Sequence, residues 1–164
     1  MSIIVRDAEP ADAQAIADIY NPYVTGSTAT FHTEPVDEAE RLQWLIGHDA
    51  LHPVLVAVSD GKVVGWGSLT QWASRPAWHR TVEASVYVAL DRRGEGIGLL
   101  LIGALVERAS GAGHHVVIAQ VVAGNEASLA MAERSGFERV GLLREVGHKF
   151  GGYHDLVLLQ RIFP

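Results

Sequence analysis

The sequence predicts an α/β domain built on a mixed sheet, and three observations carry that expectation. Apolar runs of strand length are joined by an Asp60-Gly61 hairpin signal, two strand-helix-strand passages follow, and a last antiparallel pair closes the chain. Hairpins mixed with such crossovers favour one α/β or α+β domain over a regular doubly wound parallel sheet. At 164 residues, with 48% hydrophobic and 20% charged residues, the chain is expected to fold as one domain spanning residues 1–164 with a sizeable core.

Ile3 to Val5 is a short apolar run that starts the sheet. From Asp12 to Tyr23, Ile16, Ile19, Tyr20 and Tyr23 recur at helical spacing, and Pro22 is expected to end that helix. Asp37 followed by Glu40 is a capping box, and Leu42, Leu45 and Ile46 form the apolar stripe of a second helix. From Pro53 the period shortens to that of strands: Val54 to Val58, then Asp60-Gly61, then Val63 to Leu69. A loop rich in rings and basic groups, Trp72 to Arg80, leads to a strand at 81–90. A glycine-rich turn opens a helix over Ile97 to Ala109, with little to stop it before Gly111. Val116 to Val122 reads as a strand, Glu126 to Arg134 as a helix stopped near Gly136, and Phe137 to Val146 pairs with His154 to Gln160 across Gly151-Gly152.

Thirteen Lys and Arg against 19 Asp and Glu give a net charge of −6 with the eight histidines neutral, which argues against a nucleic-acid coat. The absence of cysteine excludes disulfides, thiolate nucleophiles and Cys-based metal sites. The opening MSIIVRDAEP becomes charged at Arg6 and Asp7, and no window reaches the roughly 20 apolar residues of a membrane span. A cytoplasmic protein without a membrane partner is expected.

The densest chemical signal is Asp91 to Gly98, DRRGEGIG, between a strand and a helix. Free N–H groups at the start of such a helix attract phosphates, and glycines let the backbone approach them. A dinucleotide fingerprint fails because its third glycine falls on Leu99, and a P-loop fails because Gly61-Lys62 is followed by Val63. His114 and His115 are adjacent and no HExxH segment exists, so no metal site is expected.

These motifs carry a resemblance. RRGEGIG at Arg92 to Gly98 is similar to the acetyl-CoA motif of the GNAT N-acetyltransferases, with Arg93, Gly96 and Gly98 in its defining places. IYN at 19–21, TEPVD at 33–37, TVEASVYV at 81–88, NEASLAMAERSGF at 125–137 and REVGHKFGGYHDLVLLQ at 144–160 together resemble its phosphinothricin and methionine sulfoximine acetyltransferase branch. The resemblance implies the GNAT acyl-CoA N-acyltransferase fold, a mixed central sheet splayed between its fourth and fifth strands, with 81–90 and 116–122 as those strands. It also implies acetyl-CoA as cosubstrate, a small amino-acid-like acceptor and a homodimer. Alternatives are acetylation of another small amine or an amino terminus, or a non-catalytic coenzyme A module.

Within the resemblance, Glu83 takes the place of the general base, since an ammonium must lose a proton before it attacks a thioester. Val86 and Val88 act through their main chain toward the pantetheine arm and the thioester oxygen. Arg93 with the backbone of Gly94, Glu95, Gly96, Ile97 and Gly98 takes the pyrophosphate, and Asn125 takes the pantetheine arm or only caps its helix. Ala132 stands where many relatives carry an ionisable side chain that protonates the leaving thiolate. For the acceptor, Phe31 and Trp72 are pocket walls or core. Arg75, His79 and Arg80 meet a carboxylate or form a solvated basic loop. Family members commonly carry Arg at the His79 position, and Arg80 points to the opposite face of a continuing strand. His148, in place of a frequent tyrosine, lines the cavity or packs at a dimer contact.

Overall fold

The computed structural model describes residues 2–164. Its strands are β1 (Ile4–Asp7), β2 (Val54–Ser59), β3 (Lys62–Gln71), β4 (Thr81–Val88), β5 (Val116–Val122), β6 (Glu138–Lys149) and β7 (Gly152–Ile162), and its helices are α1 (Ala13–Gly26), α2 (Glu38–Ile46), α3 (Ile97–Gly111) and α4 (Glu126–Arg134). The strands form one sheet in the order β1-β2-β3-β4-β5-β7-β6. Every neighbouring pair is antiparallel except β4 with β5.

Both faces of the sheet are covered, which explains why β2 is apolar from Val54 to Val58. Leu55 and Ala57 enter a core with Leu101 and Leu105 of α3 and Leu129 of α4. Val54 and Val56 enter a second core with Ile16, Ile19 and Tyr20 of α1 and Trp66 of β3. On β3, Gly67 lets α3 settle close: a Cβ there would stand 2.8 Å from Leu105 Cδ1.

Several elements depart from expectation. Helix α1 runs through Pro22 to Gly26 instead of ending there. Proline removes one N–H and crowds the preceding turn, but Ile16, Tyr20 and Val24 are all buried against the sheet, and that packing holds the last turn. The α2 capping box forms as expected, with Glu40 N–H donating to Asp37 Oδ1 at 2.8 Å. Its stripe forms only in part: Leu45 packs against the second core, but Ile46 is 61% exposed and Arg41 is buried. The Arg41 guanidinium lies 4.8 Å from the Tyr20 ring and 4.3 Å from the Trp44 ring, so a cation covers aromatic faces where an aliphatic side chain was expected. β4 stops at Val88, before Leu90. Phe137 is buried ahead of β6, and the turn to β7 lies at Phe150-Gly151, where both residues have positive φ, one position before the expected Gly151-Gly152.

The feature that positions the site is the β4–β5 junction. The two strands pair only at Thr81↔Val116, Val82↔Val117 and Glu83↔Ile118. β5 stays with β7 along its whole length, while β4 stays with β3 to Val88. The sheet therefore opens after Glu83. Among the described residues, no helix is long and apolar enough to cross a membrane.

Candidate active site

The hydrogen-bond phase of β4 determines what lines the opening. Thr81 accepts from Trp72 N–H and Ala89 donates to Val64 O, both toward β3. In a regular strand alternate residues face opposite neighbours, so Val82, Ala84, Val86 and Val88 direct their main-chain groups toward β5. Beyond Glu83 no β5 residue answers them. The Tyr23 hydroxyl donates to the Val88 carbonyl, which leaves the Val86 and Val88 amides directed at the gap.

A cleft of about 690 Å³ fills this gap, lined by Val86, Val88, Arg93, Gly94, Gly96, Ile97, Gly98 and Asn125 among others. Gly94 and Gly96 both have φ of +81°, a region that only glycine enters cheaply. Gly96 caps α3 without a side-chain hydrogen bond, so the first N–H groups of the helix have no side-chain partner at the cleft wall. Glu95 is absent from the wall; its carboxylate is held by Arg92 at 2.8 Å. Asn125 caps α4, its Oδ1 accepting from Ser128 N–H at 3.3 Å, and lines the cleft as well.

A second cavity of about 270 Å³ lies on the α1 side of β4 and shares Ala29, Ser85, Tyr87, Gln120 and Val122 with the first. Side chains alternate along β4, so Glu83, Ser85 and Tyr87 all project here. Glu83 is its one carboxylate. Burial pushes the Glu83 carboxyl above its ordinary value, and the neighbouring Gln120 amide opposes that rise only in part. Burial likewise raises the phenols of Tyr20 and Tyr87.

A further wall of this cavity is the loop 28–32. Asn21 anchors the segment that follows this loop, donating to Val36 O at 2.8 Å and accepting from Val36 N–H at 2.9 Å. Lys149 of β6 is buried and donates to Thr30 O at 2.8 Å. Phe31, which lines the second cavity, rests on Gly147: three of its ring atoms lie within 2.8 Å of where a Cβ on Gly147 would stand.

Trp72, Arg75, His79, Arg80 and His148 line neither cavity. Arg75, His79 and Arg80 are exposed at the end of β4 where the sheet is still closed; Arg80 Nε donates to Gly113 O at 2.9 Å, and His79 Nδ1 lies 3.0 Å from Pro76 O. His148 is exposed between inward-facing Gly147 and Lys149, its ring against Tyr153 at 4.9 Å. The residues that complete the second cavity are Tyr20, which the sequence marks only as part of a helical stripe, and Thr30, His32, Ser85, Tyr87 and Gln120, which belong to no catalytic spacing in the sequence. Only Ser85 and Tyr87 had a signal there, the strand alternation that sets them two and four residues from Glu83.

The open strand edge, the positive-φ glycines and a helix start without a side-chain cap fit the pantetheine and pyrophosphate of an acyl-coenzyme A, and together with the splayed sheet they define the cleft of an acyl-CoA-dependent enzyme. The model of the Acetyltransferase (GNAT) family matches residues 13–137, and the chain belongs to that family. It is 43% identical over 163 residues to an L-methionine sulfoximine/L-methionine sulfone acetyltransferase of Pseudomonas paraeruginosa, covering 98% of this chain and 94% of that one. It is 40% identical over 159 residues to a phosphinothricin N-acetyltransferase of Alcaligenes faecalis, covering 96% and 81%. A GNAT superfamily phosphinothricin acetyltransferase from Sinorhizobium meliloti, solved in complex with acetyl-CoA, superimposes with a TM-score of 0.92 at 33% identity, covering 99% of this chain and 89% of that one. Within the family the chain falls in the phosphinothricin and methionine sulfoximine acetyltransferase branch.

Proposed function

We propose that this chain, acting as one domain over residues 1–164, transfers the acetyl group of acetyl-CoA to the primary amine of a small amino-acid-like acceptor such as phosphinothricin, methionine sulfoximine or methionine sulfone. One observation carries the proposal: the cavity holding Glu83 shares a wall with the glycine-rimmed cleft, so an amine beside Glu83 lies next to the opening between β4 and β5.

Acetyl-CoA, when bound, supplies an activated acetyl thioester. Arg93 and the main chain from Gly94 to Gly98 hold its pyrophosphate, and Asn125 with the main chain of Val86 and Val88 holds the pantetheine arm. A preorganised amide at this strand edge stabilises the negative charge that develops on the carbonyl oxygen. Glu83 takes the ammonium proton, and its raised pKa makes it a stronger proton acceptor than an exposed carboxylate. Phe31 provides the apolar wall for the acceptor. Ala132 offers no proton to the sulfur, so the coenzyme leaves as thiolate or is protonated by water.

The exposed apolar residues Val140, Leu142, Leu143 and Val146 of β6, beside Tyr153 of β7, support a homodimer, because monomers rarely leave such a row open on an edge strand. A chain without cysteine and with net charge −6 supports a cytoplasmic setting and a small-molecule partner over nucleic acid or membrane. The test is a panel of amino acids, amines and peptide amino termini, with thiol release followed and the acetylated product identified by mass spectrometry. Acetylation of the amino-acid analogues is expected. Tight acetyl-CoA binding with no acetylated product would leave a coenzyme A module instead.

A further inference from the structure

We propose that Thr30, Tyr20 and His32 form a proton exit from the acceptor cavity, with His32 as its outer end. The inference rests on the acetyl-transfer function above. An ammonium and a thioester give an amide, a thiol and one proton: the nitrogen loses two protons, the sulfur gains one, and the other must reach bulk water in every turnover. A half-buried base such as Glu83 must discharge that proton before it can act again.

The cavity contains a chain of groups suited to the task. The Tyr20 hydroxyl lies 2.7 Å from Thr30 Oγ1 and is hydrogen-bonded to His32 Nδ1. The Tyr87 phenol lines the same wall, its ring edge-on to Tyr20 at 4.9 Å. All four residues share the cavity wall with Glu83, and His32 is exposed to solvent. Each hydroxyl accepts one proton while donating another, so a proton crosses without charging it. Imidazole completes the path, accepting on Nδ1 and releasing its Nε2 proton to a base in solution.

The surrounding charges favour passage over storage. The Arg41 guanidinium lies 4.8 Å from the Tyr20 ring, and Lys149 Nζ is 2.8 Å from the Thr30 carbonyl. Both cations disfavour a positive charge resting on the inner hydroxyls, while Glu83 faces the chain across the cavity and His154 lies beyond Phe31, its ring 6.5 Å away. The proton is shed where water can take it, at His32.

The experiment compares wild type, His32→Gln and Tyr20→Phe, with methionine sulfone as acceptor and saturating acetyl-CoA, across rising imidazole concentration at fixed pH and ionic strength. Circular dichroism checks folding, and His32→Gln decides alone if Tyr20→Phe does not fold. Wild-type turnover should be independent of imidazole. The variants should be about tenfold slower at low imidazole and recover as it rises, with acceptor KM within about twofold, a smaller loss than removal of the base itself. Unchanged turnover, a loss that imidazole does not repair, or a raised acceptor KM with unchanged kcat would each overturn the exit path. A wild-type protein that acetylates no acceptor in the panel would instead remove the acetyl-transfer function on which the inference depends.

Discussion

Gly147→Ala should weaken acceptor recognition while leaving coenzyme A binding intact. Three Phe31 ring atoms lie within 2.8 Å of where the new methyl would stand. Carbon atoms rest about 3.5–4.0 Å apart, so the ring must retreat by about 1 Å. Phe31 is 36% exposed on a loop, so the fold can yield at a cost of about 1 kcal/mol, a fall in Tm of roughly 2–4 °C for a chain of this size. The acceptor loses more. If the displaced ring gives up about 50 Å² of apolar contact, the loss at about 25 cal/mol per Å² is about 1.2 kcal/mol, close to a tenfold rise in KM. Neither Gly147 nor Phe31 lines the larger cleft. Steady-state kinetics over the acceptor range, with calorimetric titration of acetyl-CoA, separates the two effects. A folded variant with unchanged acceptor KM, or one that loses acetyl-CoA affinity equally, would refute the role of Phe31 as an acceptor wall.

Two further predictions follow from the site. Gly96→Val places a β-branched residue at φ +81°; nothing lies within 4 Å of its Cβ, so backbone strain is the main cost. The acetyl-CoA dissociation constant should rise by about tenfold or more in a chain that still folds, and unchanged calorimetric binding would remove the loop from the cofactor site. Glu83→Gln should raise Tm at neutral pH. Burial holds the folded carboxyl above its unfolded pKa, so the folded chain binds that proton more tightly, and ionised Glu83 destabilises the fold as pH rises through the folded value. The Tm difference between variant and wild type should shrink as pH falls below the unfolded value, and a difference that grows toward acid would reverse the assignment.

Local pattern made much of the fold legible. Val116–Val122 and Glu126–Arg134 fall on the bounds that periodicity and capping imply. Pro22 and Ile46 misled because packing against the sheet outweighs one missing N–H, and because a stacked guanidinium can cover aromatic rings as an aliphatic chain would. The glycine loop was readable because its chemistry lies within eight consecutive residues. The smaller cavity was not, since its loop is held by a lysine 119 residues away and its far wall comes from β5. The basic residues Arg75 and Arg80 drew attention by charge, but the closed end of β4 carries them away from both cavities.

The most direct test of the proposed chemistry is product-resolved turnover of Glu83→Gln beside wild type, with acetyl-CoA affinity measured on the same samples. Glutamine keeps the size and much of the hydrogen bonding but cannot take the proton. Turnover should fall by about 100-fold or more, most steeply where the acceptor amine is protonated, with acetyl-CoA affinity within a few-fold of wild type. Near-wild-type formation of the N-acetyl product by the folded variant would contradict Glu83 as the base.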